Sequence, residues 1–165
     1  MRPTEPVWAW IGLGANLGTR QVTLEQALNA LRQLPQTRLV VRSRLWRSAP
    51  VDAAGPDFLN AVAGLQTRLM AHDLLTHLQA IEHRFGRMRP YRHAPRTLDL
   101  DLLMHGQNCL DTLELQLPHP RLHERAFVLA PLAELAPELI IPGRGTVRAL
   151  LRGVAQQDCR PLQLA

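Results

Sequence analysis

Apolar residues recur along this chain with two periods, one typical of strands and one typical of helices. In chain order the predicted elements are a strand over 7–13, a helix over 24–34, strands over 38–47 and 58–66, a helix over 74–85 and a strand over 98–104. Pro35 ends the first helix, and Gly86 follows the second helix where a C-cap belongs. The order βαββαβ predicts an α+β fold in which helices pack on an antiparallel sheet.

Glycine and proline interrupt the pattern at both ends of the predicted core. Gly12, Gly14 and Gly18 are interpreted as a turn between the first strand and the first helix, because the third glycine has the wrong offset for the dinucleotide fingerprint G-x-G-x-x-G. Beyond the last strand the pattern weakens to a hairpin, a proline-punctuated segment over 117–142 and a short helix over 147–154.

Two carboxylates stand two residues apart in the last predicted strand. Side chains alternate between the faces of a strand, so Leu98, Leu100 and Leu102 are expected to face the core while Asp99 and Asp101 share the opposite face. Their Cα atoms would lie about 6.6 Å apart at a rise of about 3.3 Å per residue. Such a pair can hold metal ions for phosphoryl chemistry, although a solvated acidic strand face is the simpler alternative.

A run of arginines precedes the two carboxylates. Arg87, Arg89, Arg92 and Arg96 fall in one predicted loop, and all 19 basic residues of the chain are arginine. The absence of lysine excludes a P-loop, because that motif needs a lysine for the phosphates. A net charge of +5 fits a polyanionic partner such as a nucleotide. The arginine loop beside an acidic strand therefore favours phosphate chemistry over a merely solvated surface.

Other residues have both a functional and a structural interpretation. Phe58 and Phe127 belong to a chain with only 4% aromatic residues, and they either fill the core or stack on a flat heterocycle whose polar edge Asn60 would pair. His119 lies between two prolines in a second cationic segment, which is either a binding site or a surface loop. Glu82 is by default a solvated helix residue.

Length and composition indicate one ordinary globular domain over residues 1–165. Hydrophobic residues make up 46% of the chain and charged residues 20%, which is enough to bury a core. Cys109 and Cys159 form no C-x-x-C pair, so both are expected to be reduced thiols in a cytoplasmic protein. Neither a signal peptide nor an apolar run of membrane-spanning length is apparent.

Three segments, in the right order and spacing, carry a resemblance to a known family. They are Pro56-Asp57-Phe58-Leu59-Asn60, Pro95-Arg96-Thr97-Leu98-Asp99-Leu100-Asp101, and Pro118-His119-Pro120-Arg121 with Arg125-Ala126-Phe127. Together they resemble 6-hydroxymethyl-7,8-dihydropterin pyrophosphokinase of folate biosynthesis, over roughly residues 10–142. The resemblance implies a compact α/β/α sandwich with a ferredoxin-like core. It also implies transfer of the β,γ-pyrophosphoryl group of ATP to the pterin hydroxymethyl group, with release of AMP.

The resemblance further implies a role for individual residues. Asp99 and Asp101 would bind two Mg²⁺ ions, and Arg87 and Arg96 would stabilise the transferring group. The residues expected around ATP are Gln79, Glu82, Arg89, Arg92, His119 and Arg125. The residues expected around the pterin are Ser48, Val51, Phe58, Asn60 and Phe127. The protein is expected to act as a monomer on these two small substrates, without nucleic acid or membrane.

The chain departs from the family pattern at a few positions. His93 and Ala94 stand where an aromatic residue and glycine are usual, Pro120 replaces a frequent tyrosine, and Ala49-Pro50 replaces a common Pro-Pro. These departures leave open a paralogue that acts on a related pterin or a pterin-binding scaffold without turnover. Two further rivals are another D-x-D phosphoryl or nucleotidyl transferase and an RNA-binding ferredoxin-like sheet. The RNA-binding alternative conflicts with the negative charge that Asp99 and Asp101 place on the strand face.

Overall fold

The computed structural model describes residues 5–16, 20–49, 57–86 and 98–163. Its strands are β1 (Val7–Ala15), β2 (Thr37–Arg42), β3 (Trp46–Ser48), β4 (Phe58–Thr67), β5 (Asp99–His105), β6 (Leu110–Asp111), β7 (Gln116–Leu117), β8 (Ile140–Ile141), β9 (Gly145–Thr146) and β10 (Cys159–Pro161). Its α-helices are α1 (Arg20–Arg32), α2 (Ala71–Gly86), α3 (Ala126–Leu135) and α4 (Val147–Arg152), and a 3-10 turn spans Leu122–Glu124. The predicted βαββαβ order is confirmed if β2 and β3 are counted as one interrupted strand.

The main sheet is antiparallel and has six strands. Its order is β10-β3-β4-β1-β5. Strand β2 pairs with the same edge of β4 as β3 does, β2 along the second half of β4 and β3 along its start. Strand β1 lies between β4 and β5 over almost its whole length. None of the helices in the described ranges is long and apolar enough to cross a membrane.

The sheet is covered by helices on both faces, which gives three layers. On one face α1 and α2 bury their leucine stripes against β1, β4 and β5. On the other face α3 and α4 pack against sheet residues that point the opposite way, among them Trp10, Val62 and Leu103. We call this cluster the second core layer, and this side of the sheet its second face. The predicted α/β/α sandwich is therefore confirmed.

Helix α3 lies inside the segment over 117–142, for which the hydrophobic pattern predicted no helix. Val128, Leu129, Pro131 and Leu132 are all buried, so the helix is apolar around much of its circumference and shows no helical period. Pro131 inside the helix removes a backbone donor and weakens the sequence signal further. Burial in the second core layer stabilises a helix that the local sequence pattern does not predict.

The strand predicted over 38–47 is broken in the middle. The register of β2 on β4 shifts between Leu39 and Val41. Just after β2 ends at Arg42, Ser43 Oγ accepts the Val62 N–H at 2.9 Å and donates to the Arg44 carbonyl at 2.7 Å. The Ser43 hydroxyl thus accepts a hydrogen bond that a backbone carbonyl would otherwise accept in the ladder. Strand β3 then begins at Trp46 in a new register.

Candidate active site

One cavity of about 370 Å³ opens between the sheet and the first turn of α3. Strands β1, β3, β4 and β5 each contribute residues to its wall. Its lining residues are Gly12, Leu13, Gly14, Ser48, Ala49, Phe58, Asn60, Ala61, Asp99, Asp101, Arg125, Phe127 and Val128. The cavity therefore gathers residues from all three segments that carried the family resemblance.

The floor of the cavity is formed by two glycines of β1. Gly12 pairs with Asp101 of β5, and Gly14 pairs with Asp99 on one side and with Asn60 of β4 on the other. The interpretation of Gly12 and Gly14 as a turn is wrong, because both lie inside the strand. Glycines two residues apart share a strand face, and their lack of side chains leaves space between the carboxylates and the amide. The sequence analysis gave neither glycine a place in the site, because their role depends on pairing with Asp101 and Asp99 in another strand.

The acidic side of the cavity is the start of β5. Asp99 and Asp101 line the cavity and are half-buried, whereas Leu98, Leu100 and Leu102 are buried in the opposite core layer. The predicted division of the two faces is confirmed. Within the described ranges no group of three or more His, Cys, Asp and Glu side chains forms a protein-only metal cage. Two carboxylates suit Mg²⁺, which is commonly bound by one or two carboxylates together with substrate phosphates.

Glu82 ties the last turns of α2 to the acidic strand. Its Oε2 accepts the backbone N–H of Leu100 at 2.9 Å, between the two aspartates. The default interpretation of Glu82 as a solvated residue is therefore wrong, because the carboxylate is half-buried and bonded. A residue at this place fixes the backbone that carries Asp99 and Asp101.

The opposite wall of the cavity carries the aromatic and amide groups. Phe58 and Phe127 are both half-buried and line the cavity, although Phe127 also packs against the second core layer. Asn60 is only 5% exposed, and its Oδ1 accepts the Ser48 hydroxyl at 2.6 Å. Its Nδ2 faces Gly14, where an added Cβ would lie 3.3 Å away. The wall thus presents a flat apolar slot with one amide donor at its edge.

A surface network anchors the start of β4 beside this wall. Arg47 Nε lies 2.8 Å from Asp57 Oδ2, and Arg20 donates to the backbone carbonyl of Asp57. Phe58 is the next residue. The ion pair is partly exposed and contributes little stability by itself. Its effect is local, because it connects α1, β3 and β4 at the position from which Phe58 enters the cavity.

His119 lies behind the acidic strand. Its backbone N–H donates to the Leu103 carbonyl at 2.9 Å, and its Nδ1 accepts the Arg121 N–H at 3.2 Å, which places the ring proton on Nε2. Burial lowers the pKa of His119 below its ordinary value, while the Asp101 carboxylate opposes that shift. The positive charges of Arg125 and Arg121 lower the pKa further. The neutral ring is therefore the favoured form near pH 7.

Of the remaining predicted site residues, one lines the cavity, one does not, and five lie outside the described ranges. Gln79 is exposed on α2 and does not line the cavity. Arg125 does line the cavity, and its guanidinium carbon lies 5.5 Å from the ring centroid of Phe127. The predicted residues outside the described ranges are Val51, Arg87, Arg89, Arg92 and Arg96.

The sequence of this chain matches a described protein family over most of its length. The model of the family 7,8-dihydro-6-hydroxymethylpterin-pyrophosphokinase (HPPK) matches residues 10–137. The chain belongs to the HPPK family. The predicted membership and the pyrophosphokinase function for which this family is named are therefore confirmed.

Two bacterial HPPK relatives are similar over most of both chains. Each is named 2-amino-4-hydroxy-6-hydroxymethyldihydropteridine pyrophosphokinase. The relative from Pseudomonas aeruginosa is 48% identical over 134 residues, which cover 81% of this chain and 83% of the relative. The relative from Haemophilus influenzae is 40% identical over 150 residues, which cover 90% of this chain and 94% of the relative.

Solved HPPK structures share the fold. The chain superposes on a crystal structure of HPPK-DHPS in complex with substrates with a TM-score of 0.74 and 11% sequence identity, over 93% of this chain. A wild-type HPPK-DHPS structure from Plasmodium falciparum gives a TM-score of 0.74 at 13% identity, over 94% of this chain. This chain spans 44% and 45% of the length of those two chains. At such low identity the likeness confirms the α+β fold alone.

Proposed function

We propose that this HPPK family member transfers the β,γ-pyrophosphoryl group of ATP to 6-hydroxymethyl-7,8-dihydropterin, giving the pterin diphosphate and AMP. One observation carries the proposal: two carboxylates face an aromatic and amide wall across a glycine floor in a single cavity. The acidic side suits a metal-bound triphosphate, and the apolar slot suits a flat heterocycle. The two substrates would meet over the floor.

Asp99 and Asp101 are the proposed Mg²⁺ ligands, for two ions. Bound Mg²⁺ would supply charge neutralisation on the phosphate oxygens. The chain's own contribution is orientation, because the Glu82 bond to Leu100 holds the strand between the two carboxylates. Phosphoryl-type transfer needs positioning and charge stabilisation more than a covalent nucleophile, which fits a cavity whose described lining residues include no Cys.

Asn60 is the proposed recognition residue for the pterin. Ser48 occupies its carbonyl oxygen, so its amide N–H groups are available for an acceptor on the pterin ring. Phe58 and Phe127 would stack on the two faces of the ring, and Val51 and Ser48 would offer backbone groups. Aromatic stacking adds about 0.5–1.5 kcal/mol beyond area burial, so the slot favours flat ligands.

The nucleotide is proposed to bind on the β5 side. Neutral His119 would donate from Nε2, and Arg125 would supply positive charge from the α3 side. Arg87 and Arg96 are proposed to stabilise the transferring group. Gln79, Glu82, Arg89 and Arg92 complete the proposed ATP residues. A triphosphate carries about four negative charges, and several guanidinium groups with metal ions would offset them.

The proposed enzyme is a single domain over residues 1–165 that acts as a cytoplasmic monomer on small molecules. Helices cover both faces of the main sheet in the described part of the chain, so it offers no open aromatic sheet face of the kind that RNA-binding modules use. Free Cys109 and Cys159 fit a reducing compartment.

The product nucleotide tests the proposal. The protein is incubated with ATP, Mg²⁺ and 6-hydroxymethyl-7,8-dihydropterin, and nucleotides are separated by chromatography. We expect AMP and pterin diphosphate in equal amounts, and only when the pterin is present. ADP would indicate a simple kinase, a nucleotide joined to the pterin would indicate a nucleotidyltransferase, and pterin binding without turnover would indicate a scaffold.

A further inference from the structure

Gln157 holds the peptide groups on both sides of Arg125. Its Oε1 accepts the Ala126 N–H at 2.9 Å, and its Nε2 donates to the Glu124 carbonyl at 2.9 Å. These two peptide groups define φ and ψ of Arg125, which are −122° and 112°. One carboxamide therefore fixes the backbone angles of Arg125. These angles set the direction of the Arg125 side chain and the start of α3.

The start of α3 needs such a partner from elsewhere in the chain. A helix leaves its first N–H groups without intrahelical acceptors, and these are usually met by a side chain at the N-cap. Arg125 is the N-cap of α3 and makes no side-chain cap bond. Gln157 supplies the acceptor for Ala126, the first residue of the helix, across 31 residues of sequence.

The backbone of Gln157 is anchored next to buried structure, and its side chain is exposed. Its backbone N–H donates to the Val154 carbonyl at 3.0 Å, and Val154 is buried in the second core layer. Two residues later β10 begins, where Cys159 pairs with Ser48 of β3. The carboxamide thus projects from a segment anchored at both ends, and it lies beyond residue 137, where the family match ends.

We infer that Gln157 is a positioning residue of the pterin site, acting through the Arg125–Phe127 segment; the inference rests on the proposed function. Arg125 and Phe127 both line the cavity, and the guanidinium lies over the ring. Without the two carboxamide bonds the backbone on both sides of Arg125 would keep the packing of Ala126 and Val128 in the core but would lose the contacts that fix the angles of Arg125. The Phe127 ring would then sample more positions. A smaller fraction of the protein molecules would be in the conformation that binds pterin, and the apparent Kd would rise.

The primary test is pterin affinity in Gln157→Ala, with Gln156→Ala as the matched control, because both glutamines are exposed. Calorimetric titration with 6-hydroxymethyl-7,8-dihydropterin is expected to give a Kd about fivefold to tenfold higher for Gln157→Ala, as for the loss of one or two net hydrogen bonds. The Kd of Gln156→Ala should stay within about twofold of wild type. An unchanged Kd in folded Gln157→Ala overturns the inference.

Gln157→Glu keeps the acceptor for Ala126 and removes the donor to Glu124. It should keep α3 capped, because a carboxylate is favoured at a helix N-terminus, and should give a Kd between those of wild type and Gln157→Ala. This variant carries the test if Gln157→Ala does not fold. A Kd for Gln157→Glu equal to that of wild type, with Gln157→Ala unfolded, also overturns the inference.

A double-mutant cycle separates positioning from a general loss of stability. In a Phe127→Ala background, Gln157→Ala should change the pterin Kd by less than about twofold, because the ring it positions is gone. Equal effects in both backgrounds would mean that Gln157 acts only on stability. Wild-type protein is assayed first, so that absent pterin binding or absent AMP formation is recognised as failure of the proposed function.

Discussion

Ser48 donates its hydroxyl proton to Oδ1 of Asn60 across 2.6 Å, in the wall of the cavity. Both side chains are about 5% exposed, so neither group has free access to water. Once the carbonyl oxygen is taken, the amide presents its N–H groups toward Gly14 and the cavity. A single buried hydroxyl therefore decides which end of the amide meets a ligand.

Ser48→Ala should weaken pterin binding more than it weakens the fold. The Asn60 carbonyl would lose its donor, and the amide would rotate between two orientations, of which only one presents donors. We expect the pterin Kd to rise about fivefold, as for one net hydrogen bond of about 1 kcal/mol. Calorimetry measures the Kd. In an Asn60→Ala background the same change should have almost no effect, and an equal effect there would contradict the orientation role.

Asp99→Asn and Asp101→Asn should each abolish turnover while the fold is retained. Both side chains line the cavity and are only half-buried, so each amide fits in the space of its carboxylate. Loss of one proposed Mg²⁺ ligand should lower kcat at least about 100-fold, a loss of several kcal/mol in the transition state. AMP release is measured as Mg²⁺ is raised. Exposed Glu114→Gln is the control, and near-wild-type rates at saturating Mg²⁺ would refute the metal assignment.

The acidic strand was predictable from sequence because its period-two pattern is local. Leu98, Leu100 and Leu102 alternate with the aspartates, and one face had to be buried. The glycine floor was not predictable in the same way. Gly12 and Gly14 are typical of turns in isolation, and only pairing with Asp101 and Asp99 across β1 and β5 gives them a role.

Long-range contacts explain the other errors. Ser43 interrupts the strand predicted over 38–47 through a bond to Val62, a partner that no local pattern contains. Helix α3 depends on burial against the second face of the sheet, and a helix buried on most sides lacks an amphipathic period. Gln157 gives no sequence signal at all, because its partners lie more than 30 residues away.

The two cysteines should differ in reactivity toward iodoacetamide. Cys109 is exposed, whereas burial, with the Asp158 charge adding to it, raises the pKa of Cys159 from 9.0 to about 11. At pH 8 only about 0.1% of Cys159 would be thiolate, and that fraction increases as the pH approaches 11. Mass spectrometry should show native protein alkylated at Cys109 first and denatured protein alkylated at both. Equal rates in the native state would mean that β10 does not dock beside β3.

Gly64 lies in β4 where Trp10 and Val41 approach the backbone from the second face. A Cβ at this position would lie 2.7 Å from Val41 Cγ2 and 2.8 Å from Trp10 Cζ3, closer than real Cβ contacts. Because Trp10 is buried among α3 and α4 residues, it has little room to move. Gly64→Ala should therefore lower the free energy of unfolding by about 1–3 kcal/mol, as for other overpacked cores. Urea titration followed by far-UV circular dichroism measures the loss.

Gly12→Ala is the matched control, because it makes the same chemical change in the neighbouring strand. An added Cβ at Gly12 would lie 3.5 Å from Leu103, which is ordinary van der Waals contact, so the free energy of unfolding should stay within about 0.5 kcal/mol of wild type. The added methyl group would instead intrude on the cavity floor between Asp101 and the opposite wall. We expect Gly64→Ala to lose stability and keep its ligand affinities, and Gly12→Ala to keep stability and bind ATP and pterin more weakly. The reverse pattern would show that the floor of the cavity is not formed by β1.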